Sequence, residues 1–165
     1  MAATFAIHES NGAGETTTVA SNLNFGSADQ ANLDPASYPI TAGDRSYEKW
    51  VRLYFSGTFN KIENIKIWKS AGDYVTGEGI VTNLTTTGYS AASYTTPTSA
   101  TSTVATYTMP TSDPGSANLG IGGSLTGSLT AAGYSDYWVL QMTTSTSSPP
   151  GNVNQKTFTI QYDES

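Results

Sequence analysis

The strongest constraint on this chain is a two-residue alternation in its middle. Across residues 47–55, Val51, Leu53 and Phe55 fall on one side of the backbone and Trp50, Arg52 and Tyr54 on the other. That is strand spacing, and a helix would scatter both sets around its surface. Residues 61–69 repeat the pattern, with Ile65 and Ile67 on one face and Lys66 and Trp68 on the opposite one. Residues 156–162 set Phe158, Ile160 and Tyr162 against Thr157, Thr159 and Gln161, and residues 137–142 are apolar enough for a buried strand. Weaker β signals cover residues 4–8, 16–25, 74–81 and 103–109; Gly77 and Gly79 suit a bulged strand.

No segment sustains a 3.6-residue period. Pro35 and Pro39 restrict any helix in the connector of residues 26–44 to a turn near Asp29 and Leu33. Seven or eight short strands at this spacing predict an all-β, antiparallel sandwich or barrel, and best a β-sandwich with immunoglobulin-like or jelly-roll Greek-key connections. The length of 165 residues fits one domain. Within it, 1–44 carries N-terminal strands and a connector, 45–81 the central strands, 82–130 a Thr/Ser/Gly-rich segment, and 131–165 a C-terminal hairpin. The strands of 47–55 and 61–69 are expected to be antiparallel neighbours, and those of 137–142 and 156–162 to form a hairpin around the long loop 145–154. Tyr134 and Tyr137 enter the penultimate strand, where an immunoglobulin-like fold places a tyrosine whose hydroxyl returns to the corner backbone. In such a topology Trp68 and Trp138 would pack together from opposite sheets.

With no cysteine in the sequence, disulfides, thiolate metal sites and cysteine nucleophiles are excluded. The first ten residues have neither a basic nor an apolar signal region, and no stretch is apolar for long enough to cross a bilayer, so no secretory leader and no membrane partner are expected. A net charge of -6 disfavours nucleic acid, whose phosphates need Lys and Arg. The charge is nonetheless uneven. Six of the seven basic residues, Arg45, Lys49, Arg52, Lys61, Lys66 and Lys69, lie between positions 45 and 69. They are either the solvent face of two strands, where lysine also discourages edge pairing, or a patch that contacts an acidic protein partner.

The side chains for catalysis are scarce. A Ser-His-Asp triad would have to use the single histidine, His8, and no Gly-x-Ser-x-Gly elbow occurs. Imidazole metal clusters are excluded by the same count. Carboxylates remain, as a glycosidase pair or calcium ligands; Asp73 with Glu78, and Asp34 with Asp44, are the pairs to weigh, against the commoner role of solvated loop acids. No catalytic, metal or cofactor-binding residue is assigned, and no cofactor is expected. The glycine-rich run 118–127 lacks the lysine of a phosphate cradle and reads as either a tight pass over a core or the support of a bulged strand. Asn83-Leu84-Thr85 matches a glycosylation sequon. Tyr89, Tyr94 and Tyr107 stand among Ser and Thr and are candidates for exposure at a protein or sugar surface.

The segments EKWVRLYFSGTFNKIENIKIWKSAG, GYSDYWVLQM and KTFTIQYDE, joined by Thr/Ser/Gly-rich linkers in a short cysteine-free chain, resemble the small β-sandwich structural proteins of tailed-bacteriophage virions. These include capsid decoration (cement) proteins and small neck or tail proteins. The resemblance implies synthesis in the host cytoplasm, location in the virion, viral capsid or other virion structural proteins as partners, a homo-oligomer as a further state, and no enzyme activity. A capsid decoration protein is the primary expectation. A carbohydrate-binding or adhesin module on the same fold is the alternative.

Overall fold

The computed structural model describes residues 2–85, 88–151 and 154–165. Those residues form nine strands and no helix: β1 (Ala3–Asn11), β2 (Thr16–Val19), β3 (Lys49–Gly57), β4 (Ile62–Ala71), β5 (Gly79–Thr82), β6 (Tyr107–Thr108), β7 (Gly133–Tyr134), β8 (Trp138–Thr143) and β9 (Thr157–Glu164). All strand pairings are antiparallel. A seven-stranded sheet runs in the order β2-β1-β3-β8-β5-β6, with β7 also beside β3, and β4 and β9 make a second sheet. The all-β antiparallel expectation holds, with nine strands in place of seven or eight.

Alternation does what its period requires. Val51, Leu53 and Phe55 of β3, Ile80 of β5, and Trp138 and Leu140 of β8 point inward and meet Ile62, Ile65 and Ile67 of β4 in one core. Phe158, Ile160 and Tyr162 of β9 pack on its margin. Each such aliphatic or aromatic side chain, fully buried, contributes about 1.5–3 kcal/mol. The opposite face of the large sheet is also covered, but at one end only. There Trp50, Tyr137 and Val139 are buried with Ala105, packed by Val81, Ala92, Tyr94 and Val104. The low-complexity segment is thus a lid over the outer face, and Gln141 pins it. The Gln141 amide donates to the carbonyls of Ser46 and Ala100 and accepts from the Ser102 N–H, at 2.7–3.1 Å.

Several neighbours expected from the sequence are different in space. β3 does not pair with β4; it lies between β1 and β8, and β4 pairs with β9 in the other sheet. β8 and β9 are likewise no hairpin, since β8 is central in the large sheet. Alternation states which side chains share a face, and a strand facing another across the core carries the same pattern as one beside it. The loop joining β8 to β9 includes Asn152, outside the described residues, as are Thr86 and Thr87 of the low-complexity segment. The second β segment stops at Val19, and Leu23 and Phe25 pack on the core without a ladder. Of residues 74–81 only the end is strand, after a turn with Gly77 at φ 78°, and of 103–109 only Tyr107–Thr108.

Two aromatic expectations also change. Trp138 packs edge-on against Phe158, ring centroids 5.4 Å apart, while Trp68 is half-buried on the outward face of β4 opposite Thr159. The tyrosine hydroxyls at the entry to β8 reach side chains, not corner backbone: Tyr134 to His8 and Tyr137 to Ser10 and Glu15.

Where a ladder ends or lacks a partner strand, single buried polar side chains imitate one, at the edge of β4 and within the large sheet. The Asn118 amide accepts from the N–H and donates to the C=O of Ile67, both at 2.8 Å. Asn83 accepts from Val139 N–H at 2.9 Å and donates to the Tyr137 carbonyl at 2.8 Å. Ser135 Oγ accepts from Leu53 N–H and Ser46 Oγ from Met142 N–H, each at 3.0 Å. Such bonds satisfy backbone groups that would otherwise be buried without partners, at about 1–3 kcal/mol each. Of the two roles open to the glycine-rich run, it performs the tight pass. Leu119 and Ile121 are core residues, and a Cβ on Gly127 would lie 1.9 Å from the Ile121 carbonyl oxygen.

Candidate functional site

The outer face of the large sheet that the lid leaves open carries a stacked group of aromatic and charged side chains. Register creates it: His8 of β1 lies opposite Arg52 of β3, and Tyr54 of β3 opposite Tyr134 of β7. The Arg52 guanidinium sits between two rings, 4.4 Å from the centroid of Tyr134 and 4.5 Å from that of Tyr137. One guanidinium nitrogen is 3.6 Å from Glu15 Oε1, and Nε is buried without a hydrogen-bond partner. His8 stacks on Tyr54 with centroids 5.4 Å apart, and its Nδ1 is 2.9 Å from the Tyr134 hydroxyl. Burial pushes the Tyr137 phenol up to about 12, and its bond to the Glu15 carboxylate adds to the rise.

This group can hold a planar or polar surface; its bonding does not assemble a nucleophile. Ser10 Oγ, on the same face as His8, is bonded to the Tyr137 and Thr17 hydroxyls, and the histidine ring to a phenol. A general base would have to face the hydroxyl it activates.

The remaining sequence candidates have structural posts. Lys49 is 1% exposed, and its Nζ donates to Glu9 Oε1 at 2.9 Å and to the Gln30 carbonyl at 2.8 Å. This ion pair fastens the 26–44 connector, with its fully buried Leu33, over the end of the core. Burial raises the Glu9 carboxyl above its ordinary range, and the Lys49 ammonium opposes that rise. Lys69 is buried, its Nζ donating to the Gly72 carbonyl and lying 4.8 Å from the Tyr74 ring. Lys61 pairs with Glu63 and Lys66 with Asp113. Arg45 bridges to Thr143 and lines a shallow depression of about 260 Å³ with Asp44 and Tyr47. Of the six basic residues, then, Lys49 and Lys69 are withdrawn from solvent, and the others are divided between the two sheets.

One member of each carboxylate pair weighed for calcium is similarly occupied. Glu78 accepts from Lys156 Nζ at 3.0 Å and from Val75 N–H at 2.9 Å. Asp34 caps a turn through Ala36 N–H and the Ser37 hydroxyl, and these bonds hold its carboxyl below the ordinary range. Among the described residues no three His, Asp or Glu side chains converge on a metal position. Asp136 instead anchors the glycine-rich turn, accepting from Gly123 N–H and from the Tyr89 hydroxyl; burial raises its carboxyl, and the amides of Gly123 and Gly122 oppose this.

No family model, curated protein or solved structure matches the chain. The site therefore rests on geometry alone. Of the tyrosines expected at the surface, Tyr107 is exposed, Tyr89 is tied to Asp136, and Tyr94 packs on Trp50 and donates its hydroxyl to the Gly12 carbonyl. The sequon residue Asn83 is 4% exposed with its amide turned inward. Sequence reasoning missed the Arg52 stack. Its signal was the outward set Trp50, Arg52 and Tyr54, which reads as a solvent face until β7 supplies Tyr134.

Proposed function

We propose that this chain is a non-enzymatic virion structural protein, a decoration protein that docks on the assembled shell of a tailed bacteriophage. The observation that carries the reading is the use made of its polar side chains. Lys49 with Glu9, Lys156 with Glu78, Asp136, Asn83, Asn118 and Gln141 all hold loops or strand ladders, and the outward surface carries hydroxyls, amides, half-exposed rings and scattered single acids such as Asp34, Asp113 and Asp163. Such a surface suits broad, shallow contact. Repetition over a lattice lets several weak contacts act together, so no single patch has to be strongly apolar or charged.

Lys61 and Lys66, beside and on β4, are 43% and 16% exposed and offer cations to an acidic shell, as Arg45 and Arg52 do on the other sheet. The test is recovery of the chain in gradient-purified particles of the phage whose genome encodes it, with capsid, portal or terminase genes beside its own. K61E/K66E should lower occupancy about tenfold, and absence of the wild-type chain from the particles overturns the proposal. The open face of Tyr54, His8 and Tyr134 favours a second reading, a carbohydrate-binding module, because ring faces stack on sugars. Selective glycan-array binding that is lost in Tyr54→Ala would support it.

A further inference from the structure

The edges of the two sheets are not equally protected. The second edge of β4 is bridged by Leu119 and Leu129 and by the Asn118 amide. β2 is four residues long and β6 two. β9 is eight residues long and, among the described residues, pairs on one side only, with β4. Its sequence from Thr157 to Glu164 has no proline or glycine, and the two register shifts of the β4–β9 ladder insert their extra residues on β4. β9 is therefore a regular strand with a free ladder, lacking the bulges, prolines and lysines by which edges are normally blunted.

The direction of that ladder follows from its end. Ser165 and Lys61 exchange both amide bonds, Ser165 N–H to Lys61 O at 3.1 Å and Lys61 N–H to Ser165 O at 3.0 Å. By two-residue alternation, Phe158, Ile160, Tyr162 and Glu164 turn their N–H and C=O groups to the open side. The side chains of the first three belong to the apolar layer. That layer reaches the edge, because Phe5, 39% exposed, packs edge-on against Tyr162 at 6.0 Å between centroids.

We propose that β9 pairs antiparallel with β9 of a second copy of this chain, about a two-fold axis at Ile160, joining the two small sheets into one. This goes beyond the docking role and holds with or without it. The register is fixed by face and charge. Facing must be preserved, so the paired residue numbers have the same parity. Centring on Ile160 places Phe158 opposite Tyr162 and Ile160 opposite Ile160, all within the apolar layer, each pair exchanging two amide bonds. On the solvent side Thr159 meets Gln161 and Thr157 meets Asp163, so no like charges oppose one another. A slip by two residues in one direction sets Glu164 against Phe158, and in the other shortens the ladder. Aromatic and aliphatic cross-strand pairs stabilise such a ladder, while like charges directly opposed weaken it. The isologous contact closes on itself, giving a dimer and not a fibre.

The test uses the full chain in sedimentation velocity from about 1 µM to about 1 mM, with thermal melts confirming that each variant is folded. The wild type should pass from monomer to dimer as concentration rises. T159E/Q161E places glutamates opposite one another twice and should raise the dissociation constant at least about tenfold. T159K/Q161E instead sets the introduced lysine of each copy opposite the introduced glutamate of the other and should restore the dimer. A wild type that stays monomeric throughout overturns the proposal. So does a T159E/Q161E that dimerises like wild type, or a folded T159K/Q161E that fails to dimerise.

Discussion

Replacing Lys49 by methionine keeps much of its volume and removes one charge from the interior. Glu9, 0% exposed, would then lack its ammonium partner; its second oxygen, Oε2, is already without a hydrogen bond. An orphaned carboxylate at such a place takes up a proton in preference to staying charged. The cost of that uptake at pH 7, from the ordinary value of 4.5, is about 3.4 kcal/mol at about 1.36 kcal/mol per pH unit. Loss of the bond from Nζ to the Gln30 carbonyl adds about 1 kcal/mol. The sum, about 3–5 kcal/mol, matches what breaking a buried pair usually costs, and it is a large share of the roughly 5–15 kcal/mol that holds a domain together.

The sign of the pH dependence follows from the raised Glu9 carboxyl. A raised folded pKa gives stability that is present below 4.5 and lost as pH climbs through the folded value. In the wild type the ammonium and the Asn11 amide limit this rise; in K49M only the Asn11 amide does. The gap between the two proteins should therefore shrink by about 1.4 kcal/mol for each pH unit from 7 toward 5. Urea unfolding followed by tryptophan fluorescence at several pH values measures it. K49M/E9Q, neutral at both positions, should recover most of the loss, with a coupling above about 2 kcal/mol. A K49M defect below about 1 kcal/mol at pH 7, or one independent of pH, would refute the reasoning.

Two further outcomes test other parts of the structure. Asn83→Ala strips partners from the Val139 N–H and the Tyr137 carbonyl and should cost about 2–4 kcal/mol in thermal unfolding; an unchanged melt would show that these groups find other partners. Burial, with Glu78, Asp29 and Glu15 as the chief added charges, pushes Tyr74, Tyr94 and Tyr137 up to about 12. Because these folded values exceed the ordinary 10.0, the stability they lend is intact below pH 10 and drains as pH rises toward 12, so a late phenolate phase in the ultraviolet should accompany unfolding. A single early phase preceding any loss of structure would contradict it.

Alternation in residues 47–55, 61–69 and 156–162 was enough to establish strands, their inward faces and the all-β class, because side-chain direction along a strand is a property of the local backbone. Gly127 and the apolar pair Leu119 and Ile121 likewise disclosed a segment pressed on a core. Local pattern could not say that β3 belongs beside β1 and β8, or that β4 and β9 stand across the core, since partner choice depends on contacts made by residues far apart in the chain. The same limit applied to the polar groups. Lys49 read like its basic neighbours until Glu9, distant in sequence, was folded against it in a place water does not reach, and Asn83 read as a sequon until its amide met the open ladder of β8. The free edge of β9 was invisible for the same reason: an edge exists only once every other strand has found its neighbour.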